Sequence, residues 1–316
     1  MNIIKELFVK LHIAREHMTS EYRLQKRLDS LEDKLLLLMD NSLDITKIKP
    51  AMGRLRIRQE INLTIMRILN AIAGQNGIKC WLNYGTLLGA VRHHGFVPWD
   101  DDADMSVLRQ DYTQLLDAVR DTVGDSLMVF RGKDEIGGVE MGFSRIVEKE
   151  SHFFVDLYPF DLIPGALNSS LIPTRFESDY YSYFKTLSSD ARRNFVAPEL
   201  FVKIDKWLAD HSFGDGDIDG VVTGLDYVFS DEKYIKIFKS FEYFPLATLV
   251  FEGYEFYVPA RPEAVLSTIY GDFCKFPKDA NHATHEVKAD IPITRLRQIA
   301  DELDGLRFQI ENASLR

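Results

Sequence analysis

Apolar side chains near the start of the chain recur at i, i+3, i+4 and i+7, the spacing of one face of an α-helix. Within residues 2–15 this stripe comprises Ile3, Ile4, Leu7, Phe8 and Leu11. Lys5, Lys10 and Arg15 lie off the stripe, so the pattern predicts a short basic amphipathic helix. Such a helix either makes peripheral contact with an anionic membrane or docks on its own domain or on a partner.

A second apolar stripe follows, and we call it the leucine seam: Leu24, Leu28, Leu31, Leu35 and Leu38. Their spacing of four, three, four and three residues is the a/d repeat of a coiled coil, sustained for about two heptads. The seam predicts either a homodimerisation helix or a helical hairpin, and an ordinary core stripe is the alternative. The mostly polar residues at positions 41–44 are expected to break the helix. Pro50 and Gly53 indicate a linker at residues 50–53.

Helical and strand patterns are mixed, rather than strictly alternating, in the rest of the chain. Helices are predicted at residues 56–73, 112–123, 180–187 and 198–210. Strands are predicted at residues 78–84, 103–108, 128–130, 142–147 and 152–157. This order favours an α+β fold, a nucleotidyltransferase-like mixed sheet flanked by helices, with an N-terminal helical extension.

These patterns predict three parts of the chain. Residues 1–48 form the helical extension, residues 55–290 the main α+β domain, and residues 291–316 a C-terminal helical tail. The first helix of the main domain turns an isoleucine-rich face inward, comprising Ile57, Ile61, Ile65, Ile68, Leu69 and Ile72.

Composition narrows the class of protein. No run of about 18 apolar residues is present, and charges interrupt the N-terminus, so neither a membrane span nor a secretory signal is predicted. Two cysteines, Cys80 and Cys274, are too few for a disulfide framework. We therefore expect a cytoplasmic protein, with the N-terminal helix as a candidate contact to the inner face of the membrane.

Charge is distributed unevenly along the chain. The net charge is −10, with +3 on residues 1–60 (12 basic, 9 acidic) and −13 on the remainder (26 basic, 39 acidic). This balance argues against a protein that binds nucleic acid by neutralising its phosphates. A catalytic body this acidic needs a cation before it can hold a polyphosphate.

The densest feature of the chain is an acid cluster, which we define as Asp100, Asp101, Asp102 and Asp104. Four carboxylates this close repel one another, and a hard divalent cation, Mg²⁺ or Mn²⁺, relieves that repulsion. Asp102 and Asp104 share one face of an extended segment, so they are the predicted metal ligands. Asp100 has the same parity and is a third candidate, whereas Asp101 points away to a structural or surface position.

A further carboxylate is expected from a neighbouring strand. Asp156 lies within an apolar strand, where an unpaired acid is costly, so it is predicted to be a metal ligand or a general base, with a capping acid as the alternative. Asp161 is the second choice. The acidic segment of residues 215–226 resembles a calcium-binding loop, but we interpret it as an acidic turn because its last position is Asp226.

Phosphate-binding groups are expected on either side of the acid cluster. Gly85 and Thr86 would bring backbone N–H groups and a hydroxyl close to phosphate oxygens. Arg92 suits bidentate phosphate binding, and Arg145 is either a second phosphate ligand or part of a surface salt bridge. His94 is a weaker candidate for contact with a phosphorylated substrate, and a solvent-facing position in the loop is the alternative.

The stretch from residue 85 to residue 104 resembles the LicD family, which includes the fukutin-type proteins. The matching residues are Gly85-Thr86-Leu87-Leu88-Gly89, then Arg92, then Val97-Pro98-Trp99 followed by the acid cluster. The resemblance extends to residues 251–259, where LicD-like chains carry a Phe-x-Gly hairpin, and to Tyr270-Gly271-Asp272. It covers about residues 55–285.

The resemblance implies a metal-dependent phosphotransferase. Such an enzyme moves a phospho-alcohol, such as phosphocholine, ribitol phosphate or glycerol phosphate, from a CDP-linked donor to a cell-surface glycan or its lipid-linked precursor. The alternatives are a nucleotidyltransferase that moves a nucleotide monophosphate and a noncatalytic scaffold in a glycan-assembly complex.

Overall fold

The computed structural model describes residues 22–28, 30–31, 33–35, 37–39, 41–133, 140–164, 218–223, 236–276 and 291–313. The predicted helices at residues 2–15, 180–187 and 198–210 lie outside these residues. The chain divides into two compact units. The smaller unit comprises Met1–Ile48 and Asp272–Ala283, and the larger unit comprises Lys49–Gly271 and Thr284–Arg316.

The smaller unit contains the leucine seam. The described residues between 22 and 42 are helical, and the five seam leucines keep 46–64% of their surface exposed. The seam is therefore not a core stripe. The helix ends after Ser42, and the Asp44 carboxylate accepts a hydrogen bond from Thr46 N–H (3.0 Å), which caps the short 3₁₀ turn Ile45–Lys47.

The larger unit is an α+β body around a mixed sheet. Its described strands are β1 (Trp81–Leu82), β2 (Asp104–Leu108), β3 (Leu127–Lys133), β4 (Glu140–Glu148), β5 (Phe154–Pro164), β6 (Ile218–Thr223), β7 (Lys236–Lys239), β8 (Ala247–Phe251) and β9 (Tyr254–Val258). They are ordered β3-β4-β5-β2-β1-β9-β8, and β6 and β7 extend from β5. The pairs β2–β5 and β1–β9 are parallel, and the other pairs are antiparallel.

Helices flank this sheet, as the sequence predicts. The longer ones in the described residues are α1 (Gly53–Gln75), α2 (Tyr84–His93), α3 (Arg109–Val123), α4 (Pro262–Tyr270) and α5 (Ile293–Ala313). In the part of the chain that the structure describes, no helix is long and apolar enough to cross a membrane.

Helix α1 packs its isoleucine-rich face into the core, with Ile57, Ile61, Ile65, Ile68, Leu69 and Ile72 at most 1% exposed. Helix α5 runs along α1 in the same direction, because Arg54 donates to Ile291 O and Gln75 donates to Ile310 O. The tail at residues 291–316 is thus packed against the catalytic body through its described helix. Burial of the α1 stripe stabilises this arrangement by roughly 1.5–3 kcal/mol per fully buried apolar side chain.

Two predicted elements, one strand and one turn, differ from the observed ones. The strand expected at residues 78–84 contains only Trp81 and Leu82, because β1 pairs with β2 at just those residues and Tyr84 begins a helix. Residues 218–223 of the acidic segment form strand β6 rather than a turn. The hairpin expected at residues 251–259 is confirmed by the antiparallel pairing of β8 and β9.

Candidate active site

Three neighbouring strands place charged side chains side by side on one face of the sheet. Asp104, the first residue of β2, is the register partner of Asp156 on β5, and Asp156 is the register partner of Arg145 on β4. Partners in register point to the same face of a sheet, so the three side chains form a row. Asp104 and Asp156 are 6% and 3% exposed, which makes this row a buried polar site.

Asp156 is held by Arg145 through both carboxylate oxygens. Arg145 Nε donates to Oδ1 at 2.7 Å and a terminal guanidinium nitrogen donates to Oδ2 at 2.9 Å. The guanidinium also lies over the Phe154 ring, 3.6 Å from its centroid. Bidentate pairing and ring stacking fix the orientation of Asp156, so Arg145 here contacts a carboxylate within the site rather than forming a surface salt bridge.

The rest of the acid cluster lies immediately before β2. Oxygen atoms of Asp100, Asp101 and Asp102 all lie within 4.8 Å of one another. Because the strand begins only at Asp104, alternation along a strand does not orient these three residues, and the expectation that Asp101 points away is wrong for this reason. Asp101 is 8% exposed and forms an ion pair with Arg58, in which a guanidinium nitrogen lies 2.9 Å from Asp101 Oδ2.

Crowding of carboxylates shifts the protonation of two of them. Burial raises the pKa of Asp100 well above its usual value, and Asp102 and Asp101 raise it further. Burial also raises the pKa of Asp104, and the charges of Asp102, Asp156 and Asp100 add to this effect. Both shifts have the cause expected for like charges in a poorly solvated site.

The first turn of helix α2 packs directly against the acid cluster. Gly85 donates its backbone N–H to the Asp104 carboxylate, and a Cβ atom at Gly85 would lie only 2.7 Å from Asp100 Oδ2. Thr86 is 2% exposed, and its hydroxyl accepts a hydrogen bond from Asp104 N–H at 2.8 Å. These contacts position Asp104 at the amino end of a helix, where a negative charge is stabilised. The predicted role of both residues in binding phosphate stays a prediction.

Polar residues on helix α1 hold the acid cluster by its main chain. Gln59 donates to the carbonyl oxygens of Val97 (3.3 Å) and Asp100 (2.9 Å), and Asn62 donates to the carbonyl oxygen of Asp101 (3.3 Å). Gln59 and Asn62 are 1% and 0% exposed. The sequence reasoning missed them, although two polar residues at i and i+3 beside an isoleucine stripe were a readable signal.

Arg92 lies near the loop that carries the acid cluster. It is 7% exposed, its Nε donates to His93 Nε2 at 3.0 Å, and its guanidinium is 5.9 Å from the centroid of the Trp99 ring. Burial, followed by the charge of Arg92, lowers the pKa of His93 to about 4, so His93 is neutral near pH 7. His94 is exposed, and its backbone carbonyl accepts from Glu252 N–H.

Asp161 belongs to a different contact. It lies five residues beyond Asp156 on β5 and therefore points to the opposite face of the sheet. Arg109 pairs with both of its oxygens, at 2.6 and 2.8 Å. The structure thus brings Asp156, and not Asp161, next to Asp104.

Aromatic side chains line the same face as the carboxylates. The Tyr84 ring packs edge-on against Tyr158 (centroids 5.0 Å apart), and the Tyr84 hydroxyl is 3.0 Å from Thr223 Oγ1. Tyr270 is 44% exposed, yet burial of its hydroxyl raises its pKa well above the usual value, and Asp104 and Asp100 raise it further. The sequence marked Tyr270 only as part of a resemblance and gave it no role.

The donor set of this site suits a hard divalent cation. Carboxylate oxygens, the type of ligand that Mg²⁺ and Mn²⁺ prefer, come together within 4.8 Å at Asp100, Asp101 and Asp102. Binding of a cation by Asp100, Asp102, Asp104 and Asp156 stays a prediction. Burial first, and neighbouring carboxylates second, raise the pKa values of Asp100 and Asp104, and a bound cation would offset both effects. A metal-supported transfer of a phosphorylated group is the chemistry that such a site can perform.

Comparison with known proteins agrees with this interpretation. Residues 77–203 match the family model described as LicD/FKTN/FKRP, nucleotidyltransferase domain, so the resemblance to the LicD family is confirmed. The matched segment contains α2, the acid cluster and strands β2 to β5.

Two named transferases are similar to the chain. The lipopolysaccharide cholinephosphotransferase LicD of Haemophilus influenzae is 26% identical over 260 residues, which cover 74% of this chain and 96% of the relative. The human ribitol 5-phosphate transferase FKRP is 35% identical over 107 residues, which cover 34% of this chain and only 21% of the relative. The relatives support a phosphotransferase.

Proposed function

We propose that the protein transfers a phospho-alcohol from a CDP-linked donor to a hydroxyl of a cell-surface glycan or of its lipid-linked precursor, with the help of Mg²⁺ or Mn²⁺. The observation that carries this proposal is the register match of Asp104 with Asp156, directly beside the crowded oxygens of Asp100 and Asp102. The similarity to a cholinephosphotransferase, which covers 74% of this chain and 96% of that relative, supports the reaction class. A nucleotidyltransferase-like fold is part of the same proposal.

In the proposed reaction the acceptor hydroxyl oxygen bonds to the phosphorus that carries the alcohol. The bond from that phosphorus to the oxygen of CMP breaks, CMP leaves with the electron pair, and the hydroxyl proton passes to a base. A cation at the acid cluster would neutralise charge on the diphosphate. Asp100, Asp102, Asp104 and Asp156 would hold it.

The other groups of the site position the reactants. Asp156 is the candidate base if it does not bind the cation, and its pair with Arg145 fixes its carboxylate in either role. Gly85 and Thr86 hold Asp104 in place and, with Arg92, are the proposed contacts to donor phosphates. Transfer needs little covalent work from the protein, so positioning of this kind supplies most of the catalysis.

A donor panel tests the proposal. Purified protein is incubated with CDP-choline, CDP-ribitol or CDP-glycerol and soluble oligosaccharides, and CMP release is measured with Mg²⁺ and with EDTA. We expect CMP release from one donor, only with metal, and its loss in Asp104→Asn. Asp117→Asn is the matched control, because Asp117 is a surface carboxylate (62% side-chain exposure) paired with Arg120.

The alternatives predict different products. A nucleotidyltransferase would transfer a nucleotide monophosphate from CTP and release pyrophosphate. A noncatalytic scaffold would release neither product with any donor, and wild-type protein would then behave like Asp104→Asn. Retention of more than about a tenth of the activity in Asp104→Asn would overturn the metal assignment, because loss of such a ligand removes several kcal/mol of transition-state stabilisation.

A further inference from the structure

The leucine seam is an apolar helix face that the described part of the chain leaves uncovered. Its members are between 46% (Leu28) and 64% (Leu38) exposed. Scattered apolar side chains on a surface are common, but a continuous stripe at a/d spacing on one helix marks an interface. The seam therefore requires a partner surface of matching spacing.

We propose that the seam pairs with the seam of a second copy of this chain, as a parallel, in-register two-helix coiled coil. A second copy supplies the same apolar spacing by necessity, and two-fold symmetry makes every contact occur twice. Leucine at the d positions Leu24, Leu31 and Leu38 is compatible with a two-stranded assembly.

Charge beside the seam sets the direction of the two helices. With Leu28 at position a and Leu31 at position d, Arg27 occupies position g and Glu32 occupies position e of the heptad. In a parallel pair, g of one helix faces the following e of its partner, so Arg27 of each copy meets Glu32 of the other. An antiparallel pair places g beside g and would bring together the like charges of Arg27 and Lys34.

The charge balance of the helix disfavours a membrane as the occupant. Residues 22–40 contain four basic and four acidic residues, a net charge of zero. Helices that lie on anionic membranes are rich in Lys and Arg on the polar face. The segment lacks that excess, and its acidic residues would be repelled by an anionic surface.

Light scattering and charge exchange test the pairing with the full-length protein. We expect a two-chain mass that falls toward one chain on dilution. In Arg27→Glu or Glu32→Arg this fall should begin at a higher protein concentration, because each variant places like charges opposite one another and weakens the pair. The double variant Arg27→Glu/Glu32→Arg should regain the wild-type mass, because it restores the opposite-charge pairs with their order reversed. The seam variant Leu28→Gln/Leu31→Gln should be one chain at all concentrations.

Oxidative crosslinking tests the parallel register. In a Cys274→Ser background, which removes the exposed cysteine, Leu24→Cys should form a disulfide between copies, and Lys26→Cys, at the outward f position, should not. Equal crosslinking of both variants, or none, would contradict the parallel pair. The proposal would be overturned by a one-chain mass at all concentrations. It would also be overturned if the protein floats with anionic vesicles and Leu28→Gln/Leu31→Gln abolishes that flotation. CMP release is scored separately, since no seam residue belongs to the candidate active site.

Discussion

Replacing Gly85 with alanine is a narrow test of the candidate site, because it adds a single methyl group next to one carboxylate. The added Cβ would lie 2.7 Å from Asp100 Oδ2, 3.7 Å from Asp100 Cγ and 3.8 Å from Asp104 Oδ2. The first distance is too short for a real contact, whereas the third is ordinary. Asp100 must therefore move, and Asp104 need not.

The size of the movement follows from these distances. Contacts of 3.0–3.4 Å are tight but tolerated, so the Asp100 oxygen must retreat by about 0.3–0.7 Å from its 2.7 Å position. Misplacement of a catalytic group by about 1 Å can cost about 10²-fold in rate, so we expect roughly a tenfold loss, equivalent to about 1.4 kcal/mol. Because the contact is with the end of a side chain, the fold should tolerate the change.

The stability of the variant separates this explanation from simple damage. Gly85 lies in helix α2, where exchange of Gly for Ala contributes about 0.5–1 kcal/mol of stability when space allows. Gly305→Ala in helix α5 is the matched control, since nothing lies within 4 Å of its added Cβ. We expect the control to raise the free energy of unfolding with unchanged CMP release, and Gly85→Ala to unfold within about 1 kcal/mol of wild type.

Two measurements check the prediction. Steady-state CMP release gives kcat and KM, and calorimetry of Mn²⁺ binding reports on Asp100 without any reaction. Both the rate and the metal affinity should fall in Gly85→Ala. If Gly85→Ala matches Gly305→Ala in rate, metal affinity and stability, then Asp100 has no part in the site and the reasoning from its crowded position fails.

Three further changes test other contacts of the site. Gly89→Ala would bring a Cβ to less than 2.5 Å from the Gly95 carbonyl oxygen, and backbone cannot move aside as a side chain can. We expect the free energy of unfolding in urea to fall by about 1–3 kcal/mol. Gly74→Ala, whose added Cβ has nothing within 4 Å, is the control and should raise it. Gln59→Met keeps the length of the side chain but leaves buried carbonyls without its amide, so stability should fall by about 1–3 kcal/mol and Mn²⁺ affinity should fall with it, as calorimetry would detect. The pKa of Asp104 is raised in the folded state, so wild type loses stability as pH rises from the unfolded pKa of about 4 through that raised value. In EDTA, Asp104→Asn should therefore gain stability relative to wild type over this pH range. An unfolding free energy that depends on pH in the same way for both proteins would contradict the shift.

Local patterns were sufficient for much of the fold. The isoleucine stripe of helix α1 and strand β2 follow from periodicity within short stretches, and the structure confirms them. The β8–β9 hairpin was expected from the resemblance to the LicD family, and the structure confirms it as well. Strand β1 did not follow, because its length is set by pairing with β2 and not by its own apolar run. Tyr84 begins helix α2 with a positive φ of 40°, a conformation that an aromatic residue rarely adopts and that no propensity predicts.

The partners of the acidic residues could not be predicted, for a related reason. Arg58 and Asp101, and likewise Arg109 and Asp161, are separated by more than forty positions in sequence and meet only through the packing of different elements. The choice between Asp156 and Asp161 rested on which of them faces Asp104, and only the register of β2 against β5 decides that. Sequence could identify the residue types of the site but not their pairing.

Strand β5 has a consequence for how proteins of this architecture can change. Pro164 at its end is paired with Ile218 at the start of β6, so the stretch of residues 165–217 leaves and re-enters the sheet at adjacent points. Thr223 and Lys236 are likewise paired, on either side of residues 224–235. Closing a loop between neighbouring strands costs little more entropy when the loop is longer. The length of either stretch can therefore change while the strand ends stay paired and Asp156 keeps its register against Asp104.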